Sequence, residues 1–366
     1  MPPIAMIVTA ISVLLLGLGY SSWRLVTIAP MTPALRWIVL GLWLGAFALS
    51  LISLLLRGSL SVAVTRYTYP FSTSWIFWLL YLVLLFLALD LLRLIPQLRP
   101  LLAPSWPLAG ALGLLIVGIF AWGSYRYQHK ERVPLELTVA KQLERPIKIV
   151  GISDLHLGYT IGREELSRWV QLINAERPDL ILIAGDLVDG DVRPVLEDRL
   201  AELVNQLEAP VYACLGNHEY IGGEAREKSF IRQTKIQLLQ DSVATFEDKL
   251  YIIGRDDATN RRRRSLQELT AGLDRTKPIL LLDHQPHHLE EAEQAGIDLQ
   301  LSGHTHRGQV FPLNLVVDQL YERAHGYHRR GATQYYVSSG IGIWGGKYRI
   351  GTQSEYAVIT LRPQAN

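Results

Sequence analysis

The chain is poor in cysteine, and its first third is poor in charge. Cys214 is the only cysteine among 366 residues, so no intramolecular disulfide can form. It lies in the apolar run 210–215, which favours a buried, inert thiol. Residues 1–125 hold only seven charged side chains, six arginines and Asp90. The net charge of +2 thus averages over two unlike parts of the chain and does not indicate binding to nucleic acid.

The first part is typical of a membrane region. It contains four uncharged apolar runs, each close to the roughly 20 residues that a helix needs to cross the hydrocarbon core. A cleaved signal peptide is disfavoured because the first run lacks a basic flank and three more runs follow. We predict a transmembrane region of about four helices over residues 1–125, and hence a multi-pass protein of the plasma (inner) membrane. The runs are Ile4–Trp23, Trp37–Leu56, Phe71–Leu89 and Ser105–Gly123.

The only acid among residues 1–125 has two interpretations. Asp90 is followed by Arg93 at a spacing of three, so the two can pair on one helix face near the interface. The alternative is a functional acid within the membrane.

The sequence does not fix the orientation of the membrane region. Four spans place both ends of the region on the same side of the bilayer. With the amino terminus inside, five basic residues would flank the spans in the cytoplasm and four would lie outside. This balance does not decide which side the following domain faces, and the sequence does not give the oligomeric state.

The pattern changes after residues 126–145, which we predict to be a linker whose later part, Val133–Arg145, could instead form a first edge strand. From residue 146 to 366, short apolar runs alternate with amphipathic stretches, which predicts an α/β domain. The runs Gln334–Ser338 and Tyr356–Leu361 are expected to be strands of a second sheet of a sandwich. The expected strands are Ile147–Ser153, Leu180–Ala184, Val211–Leu215, Ile279–Leu282 and Leu299–Leu301; the expected helices are Glu164–Ala175, Val195–Leu207 and Glu224–Leu239.

A set of metal-binding side chains follows the five expected strands. Carboxylates, one amide and several imidazoles make up the mixed oxygen and nitrogen donor set that transition-metal ions prefer. Because open α/β sheets place their sites at the carboxyl ends of strands, we expect these side chains to converge. The blocks are Asp154-Leu155-His156, Gly185-Asp186-Leu187-Val188-Asp189, Gly216-Asn217-His218-Glu219, the single His284, and Gly303-His304-Thr305-His306.

In this order, the five blocks resemble those of the calcineurin-like metallophosphoesterase superfamily, over about residues 146–362. The resemblance implies a two-sheet β-sandwich flanked by helices. The segment Gly340-Ile341-Gly342, with Arg349 and Glu355, is similar to a membrane-associated bacterial branch whose members carry an apolar amino-terminal region.

The resemblance also implies a role for each residue. Asp154, His156, Asp186 and His306 would hold one divalent transition-metal ion, and Asp186, Asn217, His284 and His304 would hold a second, with Asp186 bridging. The ions would be manganese, iron or zinc. His218 would contact the scissile phosphate and help the leaving group. Glu219 would orient the site from behind, and Asp189 is expected to do the same or to cap a helix rather than to bind metal.

The implied reaction is the hydrolysis of a phosphodiester or pyrophosphate bond by a hydroxide held between the two ions. The substrate class stays open. A lipid-linked substrate such as UDP-2,3-diacylglucosamine suits a membrane anchor, and nucleotide or cell-wall phosphodiesters suit the chemistry equally. A non-catalytic membrane sensor or scaffold is the alternative function, although degenerate domains normally lose ligands and here each ligand position is occupied.

Other polar features are expected to lie at the surface. The run Arg261–Arg264 is read as a solvated loop, with anionic lipid headgroups or a phosphate-rich substrate as the alternative partner. Four histidines have no motif around them and are expected to be surface residues: His287, His288, His325 and His328.

Overall fold

The computed structural model describes residues 4–364. The chain divides into two compact units, of which the first ends at Trp122 and the second begins at Gly123. The first unit is helical. Its helices are long and apolar enough to cross a membrane, as predicted. They are α1 (Ile4–Thr27), α2 (Pro33–Leu56), α3 (Val62–Leu92) and α4 (Trp106–Gln128), the last of which continues into the second unit.

Local chemistry explains where these helices begin and how they contact one another. The hydroxyl of Thr32 accepts from the backbone N–H of Leu35 at the start of α2, and Ser61 caps α3 in the same way. Asp90 contacts Arg93 at 3.4 Å, as its spacing predicts. It also accepts a hydrogen bond from Tyr20 and pairs with Arg24, both on α1. The only acid of the region thus links two helices.

The second unit contains two six-stranded sheets. The first has the strand order β1-β12-β2-β3-β4-β5 and the second has β10-β11-β9-β8-β7-β6. The strands of the first sheet are β1 (Glu131–Val139), β2 (Ile147–Ile152), β3 (Leu180–Ala184), β4 (Val211–Cys214), β5 (Gln237–Leu238) and β12 (Glu355–Pro363). Those of the second are β6 (Ser242–Phe246), β7 (Leu250–Gly254), β8 (Ile279–Leu282), β9 (Leu299–Ser302), β10 (Gly326–Arg330) and β11 (Thr333–Val337).

Side-chain alternation along the strands builds two faces. On β2, Ile147 and Ile149 pack with Leu301 of the second sheet, whereas Val150 and Ile152 pack on the helical side. The sheets therefore form a sandwich with an apolar core between them and helices outside, which is the predicted fold class. The helices are α5 (Arg163–Ala175), α6 (Val192–Glu197), α7 (Leu200–Val204), α8 (Asn217–Gly222), α9 (Glu224–Ile231), α10 (Leu266–Thr270), α11 (Leu289–Gln294) and α12 (Leu313–Leu320).

Several predicted elements need correction. Tyr356–Leu361 is a strand, but it belongs to the first sheet, where β12 pairs antiparallel with β2 and parallel with β1. Of the two alternatives for Val133–Arg145, the structure has the edge strand, since β1 occupies most of that segment. The expected helix Val195–Leu207 is split into α6 and α7 at Arg199, whose φ of 51° is left-handed. The expected helix Glu224–Leu239 ends at Ile231, and β5 follows.

The hairpin of β6 and β7 was not predicted. Its turn places Glu247 and Asp248 at positive φ, a conformation that aspartate tolerates better than most residues. The sequence does indicate this hairpin, because the segment 242–254 has apolar runs on either side of Phe246-Glu247-Asp248-Lys249.

Candidate metal centre

The predicted metal ligands lie just beyond the carboxyl ends of five strands. Asp154 and His156 follow β2, Asp186 follows β3, and Asn217 begins α8 three residues after β4 ends. His284 follows β8, and the block around His304 follows β9. The first three strands belong to one sheet and the last two to the other. The site is therefore assembled where the two sheets of the sandwich meet at one end.

Five of these residues adopt left-handed backbone conformations, with φ between 46° and 70°. Such values are uncommon for residues other than glycine, and they cluster at functional sites because the surrounding structure must hold them. Backbone hydrogen bonds do so here: Asp154 N–H donates to Gly185 O, and His156 N–H donates to Asp186 O. The five residues are Asp154, His156, Asp186, His304 and His306.

One group of donors consists of Asp154, His156 and His306, whose ligand atoms lie within 4.8 Å of one another. The two Nε2 atoms of the histidines are 3.0 Å apart. Oδ1 of Asp154 lies 3.6 Å from Nε2 of His306 and 3.9 Å from Nε2 of His156. Two imidazoles and a carboxylate thus face one common point.

A second group contains Asn217, His284 and His304. Oδ1 of Asn217 lies 2.8 Å from Nδ1 of His304 and 3.2 Å from Nε2 of His284. Oδ2 of Asp186 is 3.2 Å from Nε2 of His284 and 3.7 Å from Nε2 of His156. Asp186 therefore lies between the two groups, and the seven predicted ligands are brought together.

The residues fit a pair of cations. The seven side chains are two carboxylates, one amide and four imidazoles, the mixed oxygen and nitrogen donor set that transition-metal ions prefer. Burial and the charge of His284 lower the pKa of His304 to about 4, and burial together with His156 holds the pKa of His306 well below its usual value. Both imidazoles are thus neutral at pH 7, the form that binds metal.

The carboxylates of the site call for positive charge. Asp154 and Asp186 are both fully buried, and the charge of Asp186 adds to burial in raising the pKa of Asp154. Burial works against a charged His284, but the carboxylate of Asp186 outweighs it and raises the pKa of His284 well above its usual value. Divalent cations would supply this charge without a proton on the imidazole.

Glu219 holds the turn that carries Asp186. Its buried carboxylate accepts hydrogen bonds from the backbone N–H groups of Leu187 at 2.7 Å, Val188 at 3.1 Å and Gly216 at 2.7 Å. Burial, followed by the charge of Asp186, raises the pKa of Glu219 to about 7 although these donors oppose the shift. The carboxylate of Glu219 thus lies behind the donors, and its orienting role stays a prediction.

Asp189 lies against two histidines. Its Oδ1 is 3.5 Å from Nδ1 of His156 and 3.2 Å from Nδ1 of His218. Burial alone would raise the pKa of Asp189, but its close contacts with these histidines lower it to about 2. The contact with Nδ1 leaves Nε2 of His156 directed at the other donors, an arrangement that fixes the orientation of a metal-binding imidazole.

His218 stands beside the donors and is 16% exposed. Burial lowers its pKa, but the charge of Asp186 and the contact with Asp189 raise it to about 9. Its ring packs edge-on against that of His156, with centroids 4.5 Å apart. His218 is thus placed to present a proton at the mouth of the site.

Arg349 supports the site in a way the sequence did not reveal. Its guanidinium is fully buried and donates to the backbone carbonyls of His306 at 2.7 Å and Gly342 at 3.0 Å, and also to that of Ser339. The resemblance named Arg349 without giving it a contact. Because a charge surrounded in sequence by glycine and aromatic residues is normally exposed, no sequence signal indicated its burial.

The arginine run and the unassigned histidines are only partly at the surface. Arg263 pairs with Asp283, the neighbour of His284, and Arg264 hydrogen-bonds to Asp241, so half of the run holds its own loop in place. His288 is exposed and His328 is partly exposed. His287 is exposed as well, although its ring stacks on Tyr321. His325 is half-buried and contacts the buried Glu355 at 3.0 Å, contrary to the surface interpretation of that residue. Cys214 is buried as expected.

The chain is similar to proteins of one family. Residues 147–308 match the model of the calcineurin-like phosphoesterase family. A metallophosphoesterase of Helicobacter pylori (strain J99) is 31% identical over 259 residues, which cover 69% of each chain. One of Aquifex aeolicus (strain VF5) is 31% identical over 229 residues, 60% of this chain and 87% of the relative. A transmembrane protein with metallophosphoesterase domain from Danio rerio is 33% identical over 250 residues, 63% of this chain and 57% of the relative.

Replacement of Asp186 should empty the site. Asp186→Asn removes the charge that lies between both donor groups, so we expect metal content, measured by mass spectrometry, to fall clearly below the roughly two ions per chain of this type of centre. Asp318→Asn, which neutralises an exposed carboxylate on α12, is the matched control and should keep its metal. Equal metal content in both variants would show that Asp186 is not a shared ligand.

A buried acid behind the site should make stability depend on pH. Burial, reinforced by the charge of Glu219, raises the pKa of Glu227 to about 8, and its carboxylate oxygens have no hydrogen-bond partner in the described part of the chain. The folded state keeps the proton that the unfolded chain loses near pH 4.5, so stability falls as pH rises between the two values. Glu227→Gln should therefore raise the melting temperature at about pH 8.5 and leave it nearly unchanged at about pH 4.5. An equal shift at both values would contradict a buried, protonated Glu227.

Proposed function

The chain belongs to the calcineurin-like phosphoesterase family, which is dimetal-dependent, and we propose that it hydrolyses phosphodiester or pyrophosphate bonds of a lipid-linked substrate at the plasma (inner) membrane. Its membership makes it a metal-dependent phosphoric ester hydrolase, and its four apolar helices indicate a membrane protein that would cross the bilayer several times. UDP-2,3-diacylglucosamine is an example of the substrate class. The observation that carries the proposal is the position of Asp186, which is shared by two donor groups beside a protonated His218.

The donor groups suggest how two ions would be held. Asp154, His156 and His306 would bind one ion, Asn217, His284 and His304 would bind the other, and Asp186 would bridge them. The mixture of carboxylate, amide and imidazole donors suits manganese, iron or zinc. When bound, the ions would polarise the phosphoryl oxygens and lower the pKa of a nearby water.

The remaining steps would fall to the chain itself. His218 would stabilise charge on the phosphoryl group and give its proton to the leaving oxygen, since its pKa of about 9 keeps it protonated at neutral pH. Asp189 would hold the imidazole through Nδ1 and so keep Nε2 directed outward. Glu219 would fix the turn around Asp186. Arg349 would keep the His306 loop at its distance from Asp154.

The lipid-linked substrate is favoured by the anchor. Four membrane helices would keep the catalytic unit within a short distance of the bilayer. This would raise the effective concentration of any lipid-embedded substrate without new contacts in the site. The non-catalytic sensor is disfavoured, because no predicted ligand is missing and all seven converge.

Removal of the His218 imidazole should separate catalysis from metal binding. His218→Ala leaves the seven donors intact, so metal content should hold while turnover of a small phosphodiester falls by about 10²–10⁴, the usual effect of a lost general acid. His288→Ala removes an exposed imidazole from the same domain and should change neither quantity. If His218→Ala lost metal in step with activity, His218 would be a ligand instead.

A matched pair of substrates tests the lipid hypothesis. The full-length protein in liposomes, loaded with Mn²⁺, should hydrolyse UDP-2,3-diacylglucosamine several-fold faster than UDP-glucosamine at equal bulk concentration, because only the first partitions into the bilayer. EDTA should stop both reactions. Equal rates would overturn the lipid-linked substrate while leaving the hydrolase intact. Hydrolysis of neither compound, nor of any small phosphoester, by the metal-loaded protein would favour the sensor.

A further inference from the structure

Helix α12 exposes apolar side chains close to the metal centre. Leu313 is 38% exposed, Val316 is 54% exposed and Leu320 is 69% exposed, and the helix buries none of its residues. At 100° per residue these three side chains lie within a 60° sector of the helix. Asp318, the only charged residue of the helix, lies on the opposite side with Asn314 and Gln319, where Leu315 is exposed as well. The helix is thus amphipathic with its apolar face outward, the reverse of a helix that packs on a core.

The chain enters α12 next to the segment around Gly123, where α4 continues into the second unit. Val310 forms a bridge with Ile350, and the N–H of Phe311 donates to Ile350 O at 2.7 Å. The N–H of the preceding residue, Arg349, donates to the carbonyl of Gly123 on α4 at 2.9 Å. A side chain at Gly123 would lie 2.7 Å from Cγ1 of Ile350, so the packing is close. Two backbone contacts therefore connect the start of α12 to the segment where α4 continues into the second unit.

The same helix is joined to the metal centre. The loop after His306 packs on its first turn, where a side chain at Gly308 would lie 2.4 Å from the backbone nitrogen of Asn314. At the other end, the ring of Tyr321 lies 6.2 Å from that of His304. The apolar face is therefore carried by an element that contacts the loop of one ligand and ends beside another.

We propose that the face formed by Leu313, Val316 and Leu320 lies in the headgroup region of the bilayer that contains α4, as an interfacial helix. An amphipathic helix that exposes its apolar face can lie in the plane of the interface with that face among the headgroups. We choose the bilayer as the partner of this face because of the contacts at the start of α12. Val310 contacts Ile350, and the N–H of Arg349 donates to Gly123 O on α4, the helix that would enter the bilayer. This contact would fix the metal centre beside lipid headgroups, which goes beyond hydrolysis itself.

Fluorescence of the full-length protein in liposomes tests the contact without any substrate. In a Cys214→Ala background, an environment-sensitive dye is attached at Val316→Cys, and separately at Leu320→Cys in case one labelled variant fails to fold. Asp318→Cys is the matched control on the opposite face. The dyes at 316 and 320 should emit at shorter wavelength than the dye at 318. Lipids that carry a nitroxide just below the headgroup should quench the dyes at 316 and 320 several-fold more strongly than the dye at 318. Iodide in the buffer should quench the dyes at 316 and 320 less than the dye at 318.

Each other outcome overturns the docking. If all three dyes respond alike to iodide and to nitroxide lipids, the face is in water. If the dyes at 316 and 320 shift but nitroxide lipids do not quench them, protein covers the face, and dependence of the shift on protein density would identify a second copy of the chain. Because the readout uses neither metal nor substrate, failure here would leave the proposed hydrolysis standing, and the reverse also holds.

Discussion

The burial of two carboxylates at one point is the constraint on which the rest of the catalytic unit depends. Asp154 and Asp186 are both removed from water, and an isolated buried charge would cost many kilocalories per mole. Three features hold these carboxylates in place. They are the neighbouring imidazoles, the backbone N–H groups that donate to Glu219, and the left-handed turns at both aspartates. Each of these features is unfavourable or neutral alone, and a pair of divalent cations accounts for all of them at once.

Much of this unit could be predicted from local sequence. Leu180–Ala184 coincides with β3 because five consecutive apolar residues between Asp179 and Gly185 suit a strand that is buried on both faces. The ligand blocks were found for the same reason, since strand, turn and ligand are adjacent in the chain. The convergence of the ligands followed from one rule, that parallel strands in α/β sheets place their carboxyl ends along the same edge.

What could not be predicted depends on pairing between distant segments. Tyr356–Leu361 has the composition of a strand, but nothing in its residues indicates that it lies between β1 and β2 rather than in the second sheet. The burial of Arg349 is likewise decided by carbonyls from segments 306 and 339–342, which are close to it only in the folded chain. In the sequence, Glu227 has the appearance of a surface residue on a short helix. In the structure it is enclosed by Gly222 and the carboxylates near the site.

For the same reason, the reaction class can be predicted from local sequence and the substrate cannot. The residues that define the reaction class are short-range motifs on rigid strand ends, so they are readable in the sequence and fixed in geometry. The surfaces that would choose a substrate are formed by later segments such as α12, whose apolar face has no motif and becomes visible only once its exposure is known. If α12 lies on the bilayer, the metal centre is held close to the headgroups, where lipid-linked phosphoesters are concentrated. The selectivity of this chain would then come from where the site is held rather than from its ligands, which the motif alone prescribes.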